Sequence, residues 1–197
     1  YAGSLGEGVY RSLNHGVSWQ AVNQGLVDWN VRTVAAHPAV SNAALAGTGT
    51  TGGIHRTTNG GLNWSLTGDL DGKGAVSDLE YDPLDASRIY AAMFDRGMAA
   101  STDGGATWSR INTGLTDLHS RALAVADTLR YVGTDSSGVF YSTLHAAGWS
   151  ARNTGLPNLQ IRALATHPSL PATVLAGTDG DGLYRSTDAG LTWTPLN

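Results

Sequence analysis

The 197-residue chain holds 26 glycines, six tryptophans and seven tyrosines but no cysteine, and twelve basic against sixteen acidic residues give it a formal net charge of −4. These numbers exclude disulfide bonds and thiolate metal sites, and a mildly acidic chain without basic runs is a poor candidate for binding nucleic acid. Tight turns rich in glycine, without sustained helical periodicity, predict an all-β protein. No segment approaches the ~18 consecutive apolar residues of a membrane-spanning helix.

Three short strand-like runs occupy residues 1–26 and are separated by turn residues. Four longer repeats follow at approximately 27–70, 71–115, 116–156 and 157–197, and each contains four such runs. Comparison with these repeats indicates that the first unit lacks the run that opens each of the others. The sequence therefore predicts nineteen strands, arranged as one three-stranded and four four-stranded units.

Every repeat carries an octapeptide of the form Ser-x-Asp-x-Gly-x-x-Trp, and the five tryptophans lie 41 to 45 residues apart. That period is typical of a four-stranded propeller blade. We expect the third-position Asp or Asn to accept backbone hydrogen bonds, the glycine to adopt a positive φ, and the tryptophan to begin the return strand. The fourth copy has Leu144 in place of the hydrogen-bond acceptor and Ala146 in place of the glycine, which predicts a looser turn. The recurring structural positions are Ser12, Asn14, Gly16 and Trp19; Thr57, Asn59, Gly61 and Trp64; Ser101, Asp103, Gly105 and Trp108; Ser142 and Trp149; and Ser186, Asp188, Gly190 and Trp193.

This octapeptide resembles the Asp-box, or bacterial neuraminidase repeat. The longer unit at 177–193 is similar to the Asp-box propellers of sortilin-type receptors, xyloglucanases and photosystem II assembly factors. The resemblance implies a β-propeller of five four-stranded blades whose first blade lacks its innermost strand. Three arrangements fit: a closed five-bladed ring, which we favour because propellers close with ~4–8 blades, a fragment of a larger ring, or a chain completed by a partner. Relatives with this repeat are often exported, which implies an extracytoplasmic or secreted protein.

The innermost strands place Arg32, Arg121 and Arg162 at one repeated position. In a propeller this strand lines the central channel, so the three guanidinium groups are predicted to clamp a carboxylate, a phosphate or a sulfated sugar at its mouth. In the alternative interpretation, each arginine bonds to carbonyl groups or to an aspartate of a neighbouring blade. Trp29, just before Arg32, is predicted either to stack on a sugar or peptide group of the ligand or to cap the blade junction.

The sequence contains no complete set of catalytic residues of a known enzyme class. The arginine signature of sialidases is absent, and xyloglucanases that resemble the repeat place two aspartates across a cleft between two large propellers. Asp95, Asp135, Asp179 and Asp181 are candidates for a carboxylate pair separated by about 5–10 Å, but the sequence singles out no pair. The segment 69–80 mimics a calcium loop, but a lysine occupies one ligand position. No metal ion or cofactor is predicted.

The sequence therefore favours a non-enzymatic binding or assembly module that recognises an anionic protein, peptide or glycan ligand on its top face. It favours neither nucleic acid nor a membrane as the partner. A second interpretation is a relative or fragment of a glycoside hydrolase of the sialidase or xyloglucanase type. A third is a structural repeat unit that associates with itself through its incomplete first blade.

Overall fold

The computed structural model describes residues 1–49, 52–67, 74–144 and 148–196. In these ranges the chain forms nineteen β-strands and no helix, so no described helix is available to cross a membrane. The prediction of an all-β protein is confirmed. Three predicted features reach beyond the described residues: the acidic start of the calcium-loop-like segment, the middle of the fourth Asp-box at 145–147, and the loop positions 50–51.

The strands form five antiparallel sheets in chain order, here called blades 1 to 5. The strands are β1 (Ala2–Ser4), β2 (Gly8–Arg11) and β3 (Gln20–Ala21) in blade 1; β4 (Val31–Ala36), β5 (Ala44–Thr48), β6 (Ile54–Thr57) and β7 (Ser65–Leu66) in blade 2; β8 (Val76–Tyr81), β9 (Ile89–Met93), β10 (Gly97–Ser101) and β11 (Ser109–Arg110) in blade 3; β12 (Ser120–Ala126), β13 (Leu129–Thr134), β14 (Val139–Thr143) and β15 (Ser150–Ala151) in blade 4; and β16 (Ile161–His167), β17 (Leu170–Thr178), β18 (Leu183–Ser186) and β19 (Thr194–Pro195) in blade 5.

Blade 1 has three strands, and the strand it lacks is the innermost one. Its β1 pairs with β2 in the register that joins the second and third strands of the other blades, and β3 corresponds to their short fourth strand. By contact density the chain divides into two compact units. Unit 1 comprises residues 1–81, 85–91 and 100–109, and unit 2 comprises 82–84, 92–99 and 110–197.

Small residues on the second strand of a blade allow the next blade to approach closely. In unit 1, a Cβ atom on Gly47 would lie 2.6 Å from a methyl carbon of Val76, the first residue of the next inner strand. In unit 2, a Cβ on Gly133 would lie 2.5 Å from Ile161 in the same way. Real Cβ atoms do not approach this closely, so glycine is required wherever a β-branched side chain packs over this strand.

The Asp-box turn is held by two acceptors. In blade 3, the Ser101 hydroxyl oxygen accepts from the N–H of Gly105 at 2.9 Å, and the Asp103 carboxylate accepts from the N–H of Thr107 at 2.9 Å and from the hydroxyl groups of Ser101 and Thr107. Gly104 and Gly105 both have positive φ, 70° and 84°. The first-position hydroxyl therefore helps to close the turn, a role that the sequence analysis did not assign.

The Asp-box tryptophans latch each blade to the one before it. The indole N–H of Trp64 donates to Val22 O at 2.6 Å, that of Trp108 to the Thr67 hydroxyl at 3.3 Å, that of Trp149 to Ile111 O at 2.6 Å and that of Trp193 to Arg152 O at 2.9 Å. Each acceptor lies three residues after the preceding Asp-box tryptophan. Trp19 differs, because it is 49% exposed and donates within its own turn, to Gly16 O.

Candidate functional site

A cluster of charged side chains lies on one edge of unit 2, where strands of blades 3, 4 and 5 begin and end. Three of its members were considered from the sequence as candidates for a carboxylate pair, and two as anion-binding arginines. We call this group the rim cluster, and it consists of Asp95 after β9, Asp117 and His119 before β12, Arg121 in β12, Asp135 after β13, Arg162 in β16 and Asp179 after β17.

Asp135 joins the two arginines of the rim cluster. Its Oδ1 atom accepts from Arg121 Nε at 2.8 Å and from Arg162 Nη1 at 3.1 Å, and Arg162 Nη2 donates to Asp179 Oδ2 at 2.5 Å. The hydrogen bond from Arg121 is the main cause of a lowered pKa at Asp135, and the bond to Asp179 is the main cause of a raised pKa at Arg162. The Arg121 guanidinium also lies over the Phe94 ring, 4.4 Å from its centroid. The carboxylates therefore hold both cations in fixed positions.

His119 bridges the other two carboxylates of the cluster. Its Nε2 lies 2.9 Å from Asp95 Oδ1 and its Nδ1 lies 2.8 Å from Asp117 Oδ1. Both ring nitrogens must carry hydrogen to donate to both acceptors, so this geometry favours the imidazolium form. The bond to Asp117 is the main cause of the raised pKa of His119.

Asp117 is the buried member of the cluster, at 6% exposure. Burial acts to raise the pKa of its carboxyl group, but hydrogen bonds from the His119 N–H and side chain and from the Ser136 N–H and hydroxyl lower that pKa to about 2. The group is therefore ionised at neutral pH. It orients His119 and the turn after β13 rather than facing solvent.

A repeated sequence pattern marks the position of Asp117, and it was missed in the sequence-based prediction. The pattern Gly-Leu-x-Asp/Asn precedes three inner strands and places Asp28, Asp117 and Asn158 at one repeated position. Each side chain accepts from the backbone N–H two residues later, at 2.8, 2.9 and 2.8 Å respectively. His119 aligns with Asn30 and Gln160, so no repeated residue type pointed to it.

The predicted ligand-binding residues are distributed between the two units. Arg121 and Arg162 meet at Asp135 in unit 2, whereas Arg32 and Trp29 belong to unit 1. Arg32 is exposed and forms no ion pair with any described residue, and Trp29 is 51% exposed beside the buried Asp28. The bond from Arg162 to Asp135 of blade 4 agrees with the alternative interpretation, in which an arginine bonds to an aspartate of a neighbouring blade, whereas Arg121 bonds to an aspartate of its own blade. Anion binding at the three arginine positions stays a prediction.

The rim cluster offers hydrogen-bond partners suited to a hydroxyl-rich molecule. The side chains of Asp95 and Asp179 are 58% and 50% exposed, and those of His119 and Arg162 are 49% and 40% exposed. Acceptors and donors thus alternate along an accessible edge. In the part of the chain that the structure describes, no three His, Asp or Glu side chains are arranged to hold a metal ion.

Comparison with known proteins supports the resemblance on which the fold was predicted. Residues 99–110 match the model of the BNR/Asp-box repeat. The chain is 33% identical over 128 residues to a xyloglucanase of Hypocrea jecorina (strain QM6a), covering 54% of this chain and 15% of that protein.

Two solved structures share the fold. A GH74 enzyme of Niastella koreensis superimposes with a TM-score of 0.75 at 21% identity, over 94% of this chain and 33% of that one. YCF48 from Cyanidioschyzon merolae superimposes with a TM-score of 0.62 at 16% identity, over 84% of this chain and 55% of that one. The chain thus spans about a seventh of the curated relative and a third of the GH74 structure, and the predicted β-propeller fold with a three-stranded first blade is confirmed.

These findings correct the functional interpretation made from the sequence. A non-enzymatic binding or assembly module was favoured because no catalytic constellation was visible in the sequence. The similarity to a xyloglucanase and to a GH74 enzyme contradicts that interpretation, and it also contradicts the prediction that the protein is not an enzyme. They support the second interpretation, a relative of glycoside hydrolases.

Proposed function

We propose that this chain is a propeller segment of a glycoside hydrolase that cleaves polysaccharides of the xyloglucan class. The observation that carries the proposal is its 33% identity with a xyloglucanase over 128 residues. The accessible carboxylates of the rim cluster support it, because glycoside hydrolysis is performed by pairs of carboxyl groups. Since such polymers lie outside cells, we also propose an extracytoplasmic location.

The carboxylates of the rim cluster divide into two groups by exposure. Asp117 and Asp135 are the less exposed, at 4% and 31% of their side chains, and their lowered pKa values keep them ionised. Asp95 and Asp179 are half exposed and are the carboxylates that reach a bound glycan. His119 and Arg162 hold them in place and supply hydrogen bonds to sugar hydroxyl groups.

Trp29 is the proposed stacking surface for a sugar ring in unit 1. The residue is 51% exposed, and the buried Asp28 fixes the adjacent backbone by accepting from the N–H of Asn30. An exposed indole offers an apolar face to the C–H groups of a pyranose. Stacking of this kind selects for glycans without requiring charge on the ligand.

The test is the release of reducing ends from xyloglucan by the chain and by any longer natural polypeptide that contains it. We expect turnover that falls at least ten-fold in Asp179→Asn. The matched control is Asp85→Asn, which removes an exposed, arginine-paired carboxylate outside the rim cluster. If neither polypeptide releases reducing ends, or if the two variants behave alike, the proposal is wrong.

A further inference from the structure

A pocket of about 260 Å³ lies at the junction of blades 2 and 3, and every residue that lines it belongs to unit 1. Its polar lining includes His37 after β4, Arg56 in β6 and Tyr81 at the end of β8. The volume is below the ~300–1,000 Å³ typical of pockets for drug-sized ligands, so it suits a single small ring. It shares no residue with the rim cluster, and nothing in the proposed hydrolysis uses it.

An arginine closes the equivalent junction of blades 1 and 2, which also lies in unit 1. Arg11 of β2 donates from Nη1 to Gly60 O at 3.1 Å and from Nη2 to Asn42 Oδ1 at 2.9 Å. The carbonyl oxygen of Asn42 accepts from Gly60 N at 2.8 Å. The guanidinium group is therefore held against the Asp-box turn of blade 2 by a backbone carbonyl and a side-chain amide.

The junction of blades 2 and 3 keeps the backbone of this arrangement but lacks the amide. The repeats align Arg56 with Arg11, Ser87 with Asn42, and Gly104 with Gly60. Gly104 N donates to Ser87 O at 2.8 Å, as in the closed junction. The Ser87 side chain is shorter than an asparagine, and its hydroxyl group donates to Asp85 Oδ1 at 2.6 Å. Ser87 therefore offers Arg56 no replacement for the amide oxygen.

Arg56 consequently lies further from its Asp-box turn than Arg11 does. A Cβ on Gly60 would lie 2.1 Å from Arg11 Nη1, whereas a Cβ on Gly104 would lie 3.8 Å from Arg56 Nη2. Within the described ranges of the chain, the half-buried Arg56 guanidinium has no hydrogen-bond acceptor and no ion-pair partner. A partly desolvated cation without a partner favours binding of an anion.

The acidic residue that lines the pocket is already engaged by its own turn. The Asp103 carboxylate accepts from the hydroxyl groups of Ser101 and Thr107 and from the N–H groups of Ala106 and Thr107. The hydrogen bond from the Thr107 hydroxyl is the main cause of its lowered pKa. Asp103 therefore stays ionised and bound to the turn, and Arg56 is left as the charged group that a ligand can engage.

The remaining walls combine two aromatic rings with small apolar side chains. The His37 and Tyr81 rings meet edge to face, with their centroids 5.2 Å apart. The N–H groups of Ala39 and Val40 both donate to His37 Nδ1 at 3.1 Å, so the neutral ring carries its hydrogen on Nε2. Burial is the main cause of the raised pKa of Tyr81, so its hydroxyl group keeps its proton at neutral pH. The apolar part of the lining consists of Ala43, Ala44 and Ala86.

We propose that this pocket binds a small carboxylate whose body is a flat apolar ring. The Arg56 guanidinium binds the carboxylate with two parallel N–H groups, a geometry in which the two groups match. The ring of the ligand lies against the alanines and beside the rings of His37 and Tyr81. This site depends only on side chains of unit 1, and it does not rest on the proposed function.

Calorimetric titration of the intact chain with benzoate tests the site, and benzamide is the matched uncharged probe. We expect benzoate to bind saturably, and about ten-fold more tightly than benzamide, because hydrogen bonds to an ionised acceptor are roughly twice as strong as neutral ones. Inorganic phosphate carries charge but no ring, and should not displace benzoate at equal concentration. A chain that does not bind benzoate, or that binds benzamide or phosphate equally well, overturns the proposal.

Two variants of the pocket locate the binding site. Arg56→Gln removes the cation and is expected to weaken benzoate binding about ten-fold or more. Ser87→Asn restores the amide of the closed junction and should draw the guanidinium group onto the Asp-box turn. It is therefore expected to cause a similar loss, although it removes no charge.

Arg88→Gln is the matched control, because it removes a neighbouring guanidinium group that pairs with Asp85 and does not line the pocket. Its affinity for benzoate should stay within about two-fold of wild type. Circular dichroism verifies folding, and if Arg56→Gln is unfolded, the exposed position of Ser87→Asn still provides a folded test. Unchanged affinity in a folded pocket variant, or an equal loss in Arg88→Gln, contradicts the proposal.

Discussion

Ser101 shows how much of the Asp-box depends on one hydroxyl group. The residue is 2% exposed, and its oxygen accepts from the N–H of Gly105, which is buried with it. Ser101→Ala leaves that N–H without an acceptor and is expected to lower the free energy of unfolding by about 1–3 kcal/mol. Urea unfolding measures the loss.

The same substitution in blade 1 is the control for this prediction. Ser12 makes an equivalent bond to Gly16 N at 2.8 Å, but its turn is exposed, so water replaces the lost acceptor. We expect Ser12→Ala to have less than half the effect of Ser101→Ala. Equal losses would show that the exposure of the turn does not matter.

His119 makes stability depend on pH through its two carboxylate contacts. Its pKa is raised in the folded protein, so the stabilisation is fully present below the ordinary histidine pKa of ~6.5 and is lost as pH rises through the higher folded value. Urea unfolding midpoints should therefore fall as pH rises above about 6.5. His119→Gln should remove that part of the slope, and an unchanged slope would contradict the prediction.

At the scale of the element, the glycines of the second strands test how closely blades pack. Gly133→Ala places a methyl group 2.5 Å from Ile161 and is expected to lower the free energy of unfolding by about 1–3 kcal/mol. Gly177→Ala, at the same strand position, meets only Ala163 at 3.6 Å and should be neutral or slightly stabilising. Comparable losses from the two substitutions in dilute chain would contradict this account.

The strands were predictable because their signals are local. An Asp-box closes its turn with atoms no more than four residues apart, so its position marks the end of a third strand without knowledge of the rest of the fold. The rim cluster was less predictable because four of its five ion pairs join residues 14 to 27 positions apart. Arg121 and Arg162 were found by their repeated position, but their choice of Asp135 depends on which loops converge.

At the scale of the whole molecule, fold resemblance identified the architecture but did not decide between binder and enzyme. Asp-box propellers serve several functions, because function resides in side chains placed on the scaffold. Asp95 and Asp179 were both considered from the sequence as candidate carboxylates, but nothing there ranked them above Asp181. Similarity to a xyloglucanase over 54% of the chain favours a relative of glycoside hydrolases over a binding module, but it does not rank these carboxylates.

Salt dependence distinguishes the proposed neutral glycan from the anionic ligand expected from the sequence. Xyloglucan carries no charge, so its affinity for the chain should change by less than about two-fold between ~0.01 and ~0.15 M salt. The Debye length falls from ~30 to ~8 Å over the same range. An anionic ligand bound by the three arginines would lose affinity steeply over that range. Affinity electrophoresis or calorimetry at the two salt concentrations measures the difference.

The indole latches also give the molecule a set of built-in optical reporters. Trp64, Trp149 and Trp193 are each 5% exposed or less and hydrogen-bonded to the preceding blade, whereas Trp19 and Trp29 are about half exposed. Buried and solvent-exposed indoles emit at different wavelengths. Intrinsic fluorescence therefore contains one component from the junctions between blades and another from the surface. When any blade junction opens, intensity moves from the first component to the second. Replacing single tryptophans by phenylalanine assigns the change to one junction.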